Sequence, residues 1–211
     1  MVVNIDLSDD RIATSLEPYG FFPSADACEK IRTYIALLLR WNQRISLTAL
    51  TDIAAILQIH FGESIFAAPT VPIQHGRLAD VGTGAGFPGI PIKIARPDLH
   101  ILLIEPNTKK CAFLSEVVRA LQLDAEVIRG RMETVLANDD QLDYVTSRAV
   151  GKWDSILEFG DHLKQGAELV LWVGEKALSE LKTTRHGGFS WADPIKIPGA
   201  MTRSILVGTK L

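Results

Sequence analysis

The residues with the clearest chemical potential lie in one run, Asp80-Val81-Gly82-Thr83-Gly84-Ala85-Gly86-Phe87-Pro88-Gly89. Closely spaced glycines let backbone N–H groups approach a ligand with no Cβ in the way, and they accept positive φ. Placed after a strand, such a loop cradles a nucleotide-like molecule at the carboxyl edge of an α/β sheet. Two registers are open. Gly84, Gly86 and Gly89 satisfy G-x-G-x-x-G, the fingerprint of dinucleotide binding. That register puts its first glycine four residues beyond Asp80, late for a turn that opens directly from the strand. In the other register Asp80 closes the strand, and Gly82, Gly84 and Gly86 follow. A carboxylate there repels a pyrophosphate and attracts a cation. It suits S-adenosylmethionine, which carries a sulfonium and an ammonium but no phosphate. A purely structural glycine turn is the third reading. Glu105 ends the apolar run Ile101-Leu102-Leu103-Ile104, 19 residues after Gly86. A carboxylate so placed accepts hydrogen bonds from ribose hydroxyls, which either cofactor offers.

These residues need elements to hold them. Leu78 to Val81 reads as a strand, Pro88 to Arg96 as a helix, and His100 to Glu105 as a second strand. A helix over Thr108 to Leu121 follows, then strands at Ala125 to Ile128, Asp143 to Ser147 and Glu168 to Val173. Strands alternating with helices imply βαβ units and a mostly parallel sheet. Ile195 to Ile197 and Arg203 to Gly208, separated by Pro198-Gly199, predict an antiparallel terminal hairpin. The first section, residues 1–70, reads as a helical extension packed on a core formed by residues 71–211. Ser24 caps a helix with apolar residues at Ile31, Ile35, Leu38 and Leu39. A second helix starts near Thr51 or Asp52 and carries Ile56, Leu57, His60 and Phe61. Pro69 to Pro72 is expected to break it.

Composition bounds the rest. With 47% apolar and 22% charged residues the 211-residue chain matches an ordinary globular protein. No apolar run is long enough for a membrane helix, and no secretory signal precedes Asp6, so a cytoplasmic protein is expected. Cys28 and Cys111 show no metal-ligand spacing and read as buried helix residues. A net charge of −3 means that any nucleic-acid partner must be met by a local basic patch. Arg40, Arg44, Lys93, Arg96, Lys109, Lys110, Arg119, Arg129, Arg131, Arg148, Lys152, Arg185 and Arg203 are available for one. Arg44, Arg148 and Arg203 are expected to border the pocket.

The motifs taken together resemble the bacterial small-subunit ribosomal RNA methyltransferase G family, also called glucose-inhibited division protein B. The loop from Asp80 to Pro91 is similar to its cofactor loop. Trp41-Asn42-Gln43-Arg44-Ile45-Ser46-Leu47-Thr48 resembles its W-N-x-x-x-N-L-T signature. His60-Phe61-Gly62-Glu63-Ser64 resembles H-x-x-D-S, and Thr146-Ser147-Arg148-Ala149 its fourth-strand T/S-R-A. The chain departs from the pattern at Ser46, at Glu63 where Asp is usual, and at Val173 where a Lys is common. The resemblance implies a class I, Rossmann-like methyltransferase with a seven-stranded sheet, acting on guanine N7 in small-subunit rRNA or the 30S particle. It implies that Gly82 and Phe87 line the cofactor, that Met132 and Glu133 sit by its adenine, and that Arg148 lies at the site. No metal and no second subunit is expected.

The chemistry is compatible. Guanine N7 carries an in-plane lone pair and needs positioning rather than a strong base. The fourth strand, Asp143-Tyr144-Val145-Thr146-Ser147-Arg148, lacks the (Asp/Asn)-Pro-Pro-aromatic motif used on exocyclic amines. It also lacks the cysteine nucleophile used at pyrimidine C5. Arg148 suits guanine O6 or a phosphate. Methylation of a small molecule or protein, and a non-catalytic nucleotide-binding adaptor, remain as alternatives.

Overall fold

A computed structural model describes residues 7–71, 73, 75–136, 141–148, 153–183 and 188–211. Pro72, Ala149, Lys152 and Arg185 lie outside them.

The N-terminal section begins with α1 (Asp9–Leu16), whose first-turn N–H of Arg11 is capped by the Ser8 hydroxyl. Ser24 caps α2 (Ala25–Asn42) in the same way, and the apolar face of that helix buries Ile31, Ile35 and Leu38. Asp52 caps a third helical stretch. It runs as α3 (Ile53–Ala55), a π-helical stretch (Ile56–Gly62), α4 (Glu63–Ile65) and α5 (Ala67–Thr70). The break expected within Pro69 to Pro72 falls at Val71, where the backbone turns extended. Pro69 lies in the first turn of α5, where its missing N–H costs little.

Five parallel strands follow: β1 (Gly76–Val81), β2 (Leu99–Glu105), β3 (Ala125–Arg129), β4 (Tyr144–Arg148) and β5 (Glu168–Gly174). Then come β6 (Phe189–Trp191), β7 (Ile195–Lys196) and β8 (Arg203–Lys210). The order is β3-β2-β1-β4-β5-β8-β6, with β7 also on β8. β8 runs antiparallel to β5, β6 and β7, as the terminal hairpin requires. The sheet has eight strands rather than seven. Because β5 takes one edge of β8, the two short strands β6 and β7 share the other, and seven positions remain. Chain order reverses between β1 and β4, which is the topological switch point where ligands of such sheets sit.

The crossover helices are α6 (Gly89–Ala95), α7 (Thr108–Ala120), α8 (Met132–Val135), α9 (Trp153–Gly160) and α10 (Glu175–Thr183). Side-chain alternation along the strands sorts the interior into two layers. Leu78, Ile101 and Leu103 join Ile12, Tyr34, Phe61 and Phe113, so the N-terminal helices share one apolar core with the sheet. Ala79, Leu102, Ile104 and Val145 face Ile156 and Leu157 of α9 on the other side. Among the described residues no helix is long and apolar enough to cross a membrane.

Phe113 of α7 is fully buried and meets Tyr34 and Trp41 of α2 at ring distances of 6.2 and 5.9 Å. Phe113→Ala should cost about 3–5 kcal/mol. Because the helices and the sheet share that core, urea unfolding should stay a single transition with a lowered midpoint. A separate early transition of the N-terminal section would contradict this packing.

Candidate active site

The loop after β1 is shaped from below by Asp80. Gly82, Gly84 and Gly86 have φ of 66, 62 and 96°, a region that side chains other than glycine rarely adopt. Asp80, with no exposure, accepts hydrogen bonds from the Thr83 hydroxyl (2.5 Å), the Gly89 N–H (2.8 Å) and the Thr146 hydroxyl (3.3 Å). Burial pushes its pKa up to about 6, although all three bonds pull the other way. A Cβ on Gly89 would stand 2.8 Å from the Asp80 carboxylate oxygen. Gly89 is thus needed for packing beneath the loop, and the G-x-G-x-x-G coincidence has a structural cause. The carboxylate is spent on the loop itself rather than turned towards solvent.

Glu105 is also nearly covered. Its Oε2 accepts from Gly84 N–H at 3.0 Å and its Oε1 from Asn107 N–H at 2.9 Å. Each oxygen keeps an acceptor direction for a ligand hydroxyl. Beside it opens a cavity of about 490 Å³, walled by Val81, Gly82, Ile104, Pro106, Gly130, Arg131, Met132, Glu133, Ser155 and Ile156. It brings together three of the expected residues, Gly82, Met132 and Glu133. Asp80 adjoins it through Val81 and Glu105 through Ile104 and Pro106, whereas Gly84 and Gly86 lie outside the wall, Gly84 bonded to Glu105. As wall residues the sequence reading missed Val81, Ile104, Pro106, Gly130, Ser155 and Ile156. Gly130, just past the end of β3, was a visible signal. Ser155 and Ile156 join only because α9 docks there, and nothing in the sequence announces that.

Phe87 and Arg148 lie outside that wall, on the flank facing the N-terminal helices. Phe87 stacks on His60 (centroids 4.4 Å, 17° between planes) and on Tyr34 (5.3 Å, 20°). The Tyr34 hydroxyl donates to the Ala85 carbonyl within the loop. Asn42 explains much of the W-N-x-x-x-N-L-T resemblance. Its Oδ1 accepts from the N–H groups of Leu47 and Thr48, and its Nδ2 donates to the Thr48 carbonyl. That turn brings the Thr48 hydroxyl within 2.6 Å of His60 Nε2. Burial lowers the His60 pKa to about 4, with Arg148 and Arg203 adding repulsion. Trp41 packs on the core and donates to Glu116 at 2.7 Å, so it is a structural residue.

Glu63 organises the remaining charges. It is 2% exposed. One oxygen meets Arg203 at 2.5 Å, and the other lies 3.6 Å from Arg148. Arg148 also donates to the Ser64 hydroxyl at 3.3 Å, and Trp172 Nε1 donates to the Glu63 carbonyl. Desolvation lowers the Arg148 pKa, and Glu63 opposes that. The structure thus places Arg148 and Arg203 side by side. Arg44 stands apart from them, exposed beyond α2. Lys93 leaves the list of patch candidates, because it is buried and donates to the carbonyls of Pro97 and Leu99. Arg96 leaves it too, being engaged by Asp98.

Known proteins match this architecture. A methyltransferase from Geobacter sulfurreducens superposes with a TM-score of 0.61 at 15% identity, covering 97% of this chain and 99% of that one. An S-adenosylmethionine-dependent methyltransferase from Aquifex aeolicus gives 0.59 at 14% identity, over 74% of this chain and 93% of its own. The sheet order and the loop at its switch point are those of the class I S-adenosylmethionine-dependent methyltransferases. Sequence relatives narrow the class. The model of the rRNA small subunit methyltransferase G family matches residues 27–193. The ribosomal RNA small subunit methyltransferase G of Roseiflexus castenholzii is 36% identical over 95% of this chain and 89% of its own length. That of Mycoplasma capricolum is 38% identical over 74% of this chain and 69% of its own. The chain belongs to the rRNA small subunit methyltransferase G family.

The His60 environment has a consequence for pH. Its folded pKa, about 4, lies below the ordinary 6.5 of the unfolded chain. Its contribution to stability is therefore complete above pH 6.5 and is lost as pH falls through 4. At 1.36 kcal/mol per unit, and allowing for the ring's partial exposure, the loss is on the order of 2 kcal/mol. Denaturant midpoints between pH 7 and 4 should fall more steeply for the wild type than for His60→Gln. Imidazole NMR should place the titration near 4, and a value near 6.5 would contradict the site as described.

Proposed function

We propose that the chain transfers the methyl group of S-adenosylmethionine to N7 of a guanine in small-subunit rRNA. One observation carries the reading: a cofactor-sized cavity beside the Gly82–Gly86 loop opens next to a flank that holds cations and aromatic rings but no strong base. On this reading Met132, Ile104 and Pro106 pack against the adenine, Glu133 lies at its rim, and Glu105 accepts from the ribose. Gly82, Gly84 and Gly86 admit the rest of the cofactor close to the backbone. Asp80 acts through the loop by fixing its turns.

The bound cofactor supplies an electrophilic methyl group on a sulfonium. The protein's task is then orientation, since the N7 lone pair attacks without loss of a proton. The low pKa of His60 suits such chemistry, because the ring stays neutral at pH 7 and adds no charge opposite a purine becoming cationic. Phe87 and His60, stacked on one another, form an apolar wall against which a base can lie. Arg148 is placed to hydrogen-bond guanine O6 or a phosphate, with Glu63 compensating its charge. Residues 1–70 work as an extension of the 71–211 core, and the enzyme acts as a cytoplasmic monomer.

N7-methylguanosine mapped in rRNA from cells with and without the protein should differ at one small-subunit position. Labelled methyl appearing on metabolites or protein but never on rRNA would overturn the reading. Glu105→Gln should weaken S-adenosylmethionine binding by about ten- to a hundredfold, the value of a charge-assisted hydrogen bond. Calorimetry should show that loss, and unchanged affinity would remove Glu105 from the cofactor site.

A further inference from the structure

The cations of this chain are sorted across the sheet. At the edge where the parallel strands begin, Lys30, Arg96, Lys164 and Lys210 each pair with an acid: Asp26, Asp98, Asp143 and Asp161. At the opposite edge, where the strands end and the cofactor cavity opens, Arg148 and Arg203 share Glu63 and Arg40 meets Glu116, but a second group of cations has no acid. Lys109 and Lys110 open α7 directly after β2. Arg129 is the last residue of β3, and Arg131 follows it into the cavity wall. The antiparallel packing of α2 on α7, with Trp41 bonded to Glu116, carries the end of α2 to this same edge and leaves Arg44 just beyond it. Lys110 is half-buried, and the other four are exposed. None of the five pairs with a carboxylate among the described residues. Arg129 has one neutral partner, the Thr108 hydroxyl at 3.3 Å.

A run of unpaired cations is electrostatically unfavourable within one protein and favourable against a polyanion. The acids at this edge do not cancel it evenly. Asp80 and Glu105 are buried, Glu63 is already held between Arg148 and Arg203, and exposed Glu133, Asp154 and Glu175 open α8, α9 and α10, bonded to none of the five cations. We infer that Arg44, Lys109, Lys110, Arg129 and Arg131 form a strip that binds the phosphate backbone of the RNA substrate. The strip starts at the cofactor cavity and crosses α7 to the end of α2. It resolves the apparent conflict with a net charge of −3. Affinity for RNA depends on local phosphate contacts rather than on the net charge of the chain. This inference rests on the proposed rRNA reading.

The test uses the full chain, with 30S subunits that lack the modification as probe. In Arg44→Ala/Lys109→Ala/Lys110→Ala, the KM for 30S subunits should rise by about tenfold or more. The slope of log affinity against log salt should fall by roughly 2–3, near one counterion contact per side chain removed. S-adenosylmethionine affinity, measured on the same variant, reports that the fold and cavity are intact. Lys30→Ala/Lys164→Ala removes charge from the opposite edge and should leave both the KM and the slope as in the wild type. A strip variant with wild-type KM and slope overturns the strip, and so does an equal loss in the opposite-edge variant. A wild type that binds 30S subunits with steep salt dependence but methylates nothing leaves the strip standing and overturns the proposed activity.

Discussion

The site depends first on a buried carboxylate. Asp80 sits with no solvent exposure near the end of β1, opposite Thr146 of β4, and ties Thr83, Gly89 and Thr146 together. Removing an acid from water is costly, and its raised pKa records that cost. Three hydrogen bonds offset it, and each fixes a different part of the binding edge. Thr83 sets the first turn of the loop, Gly89 the start of α6, and Thr146 the neighbouring strand. With those three held, Gly82, Gly84 and Gly86 adopt the positive φ values that open the cavity.

The N-terminal helices complete the site from the other side. A helical extension on a nucleotide-binding core often reads as a separate appendage, but here the two share one interior. Tyr34 reaches the Ala85 carbonyl, and Phe87 lies between Tyr34 and His60. The π-helical stretch Ile56–Gly62 turns His60 and Phe61 towards that ring stack. Such insertions cost hydrogen-bond quality and are retained where a side chain must be re-aimed. Glu63, on the next turn, then meets Arg148 from β4 and Arg203 from β8. One helical stretch therefore supplies both the aromatic wall and the counter-charge.

Electrostatics is divided along the same axis. Paired ions at the strand-start edge contribute little beyond solubility, as exposed pairs generally do. At the strand-end edge Asp80 and Glu105 are buried, Glu63 is held by Arg148 and Arg203, and the five cations of the strip are free of carboxylate partners among the described residues. The net charge of the chain conceals this separation, which is why composition argued against nucleic acid while the surface argues for it.

Periodicity and local chemistry made much of the architecture legible. The strands of the parallel sheet, the Ser24 cap and the terminal hairpin follow from patterns spanning only a few residues, and those patterns do not depend on what packs against them. Strand β6 escaped because three residues carry too little periodicity. The loop register was also readable, since an acid and three glycines at alternate positions express one backbone requirement. What the sequence left open was every relation between distant segments. That Asp80 faces inward, that Lys93 is buried, that Glu63 joins two arginines, and that Ser155 and Ile156 wall the cavity are outcomes of packing. The sequence determined which residues could do the chemistry and which elements carry them. Only the tertiary structure decided which of their atoms meet, because burial and pairing are properties of neighbours far apart in the chain.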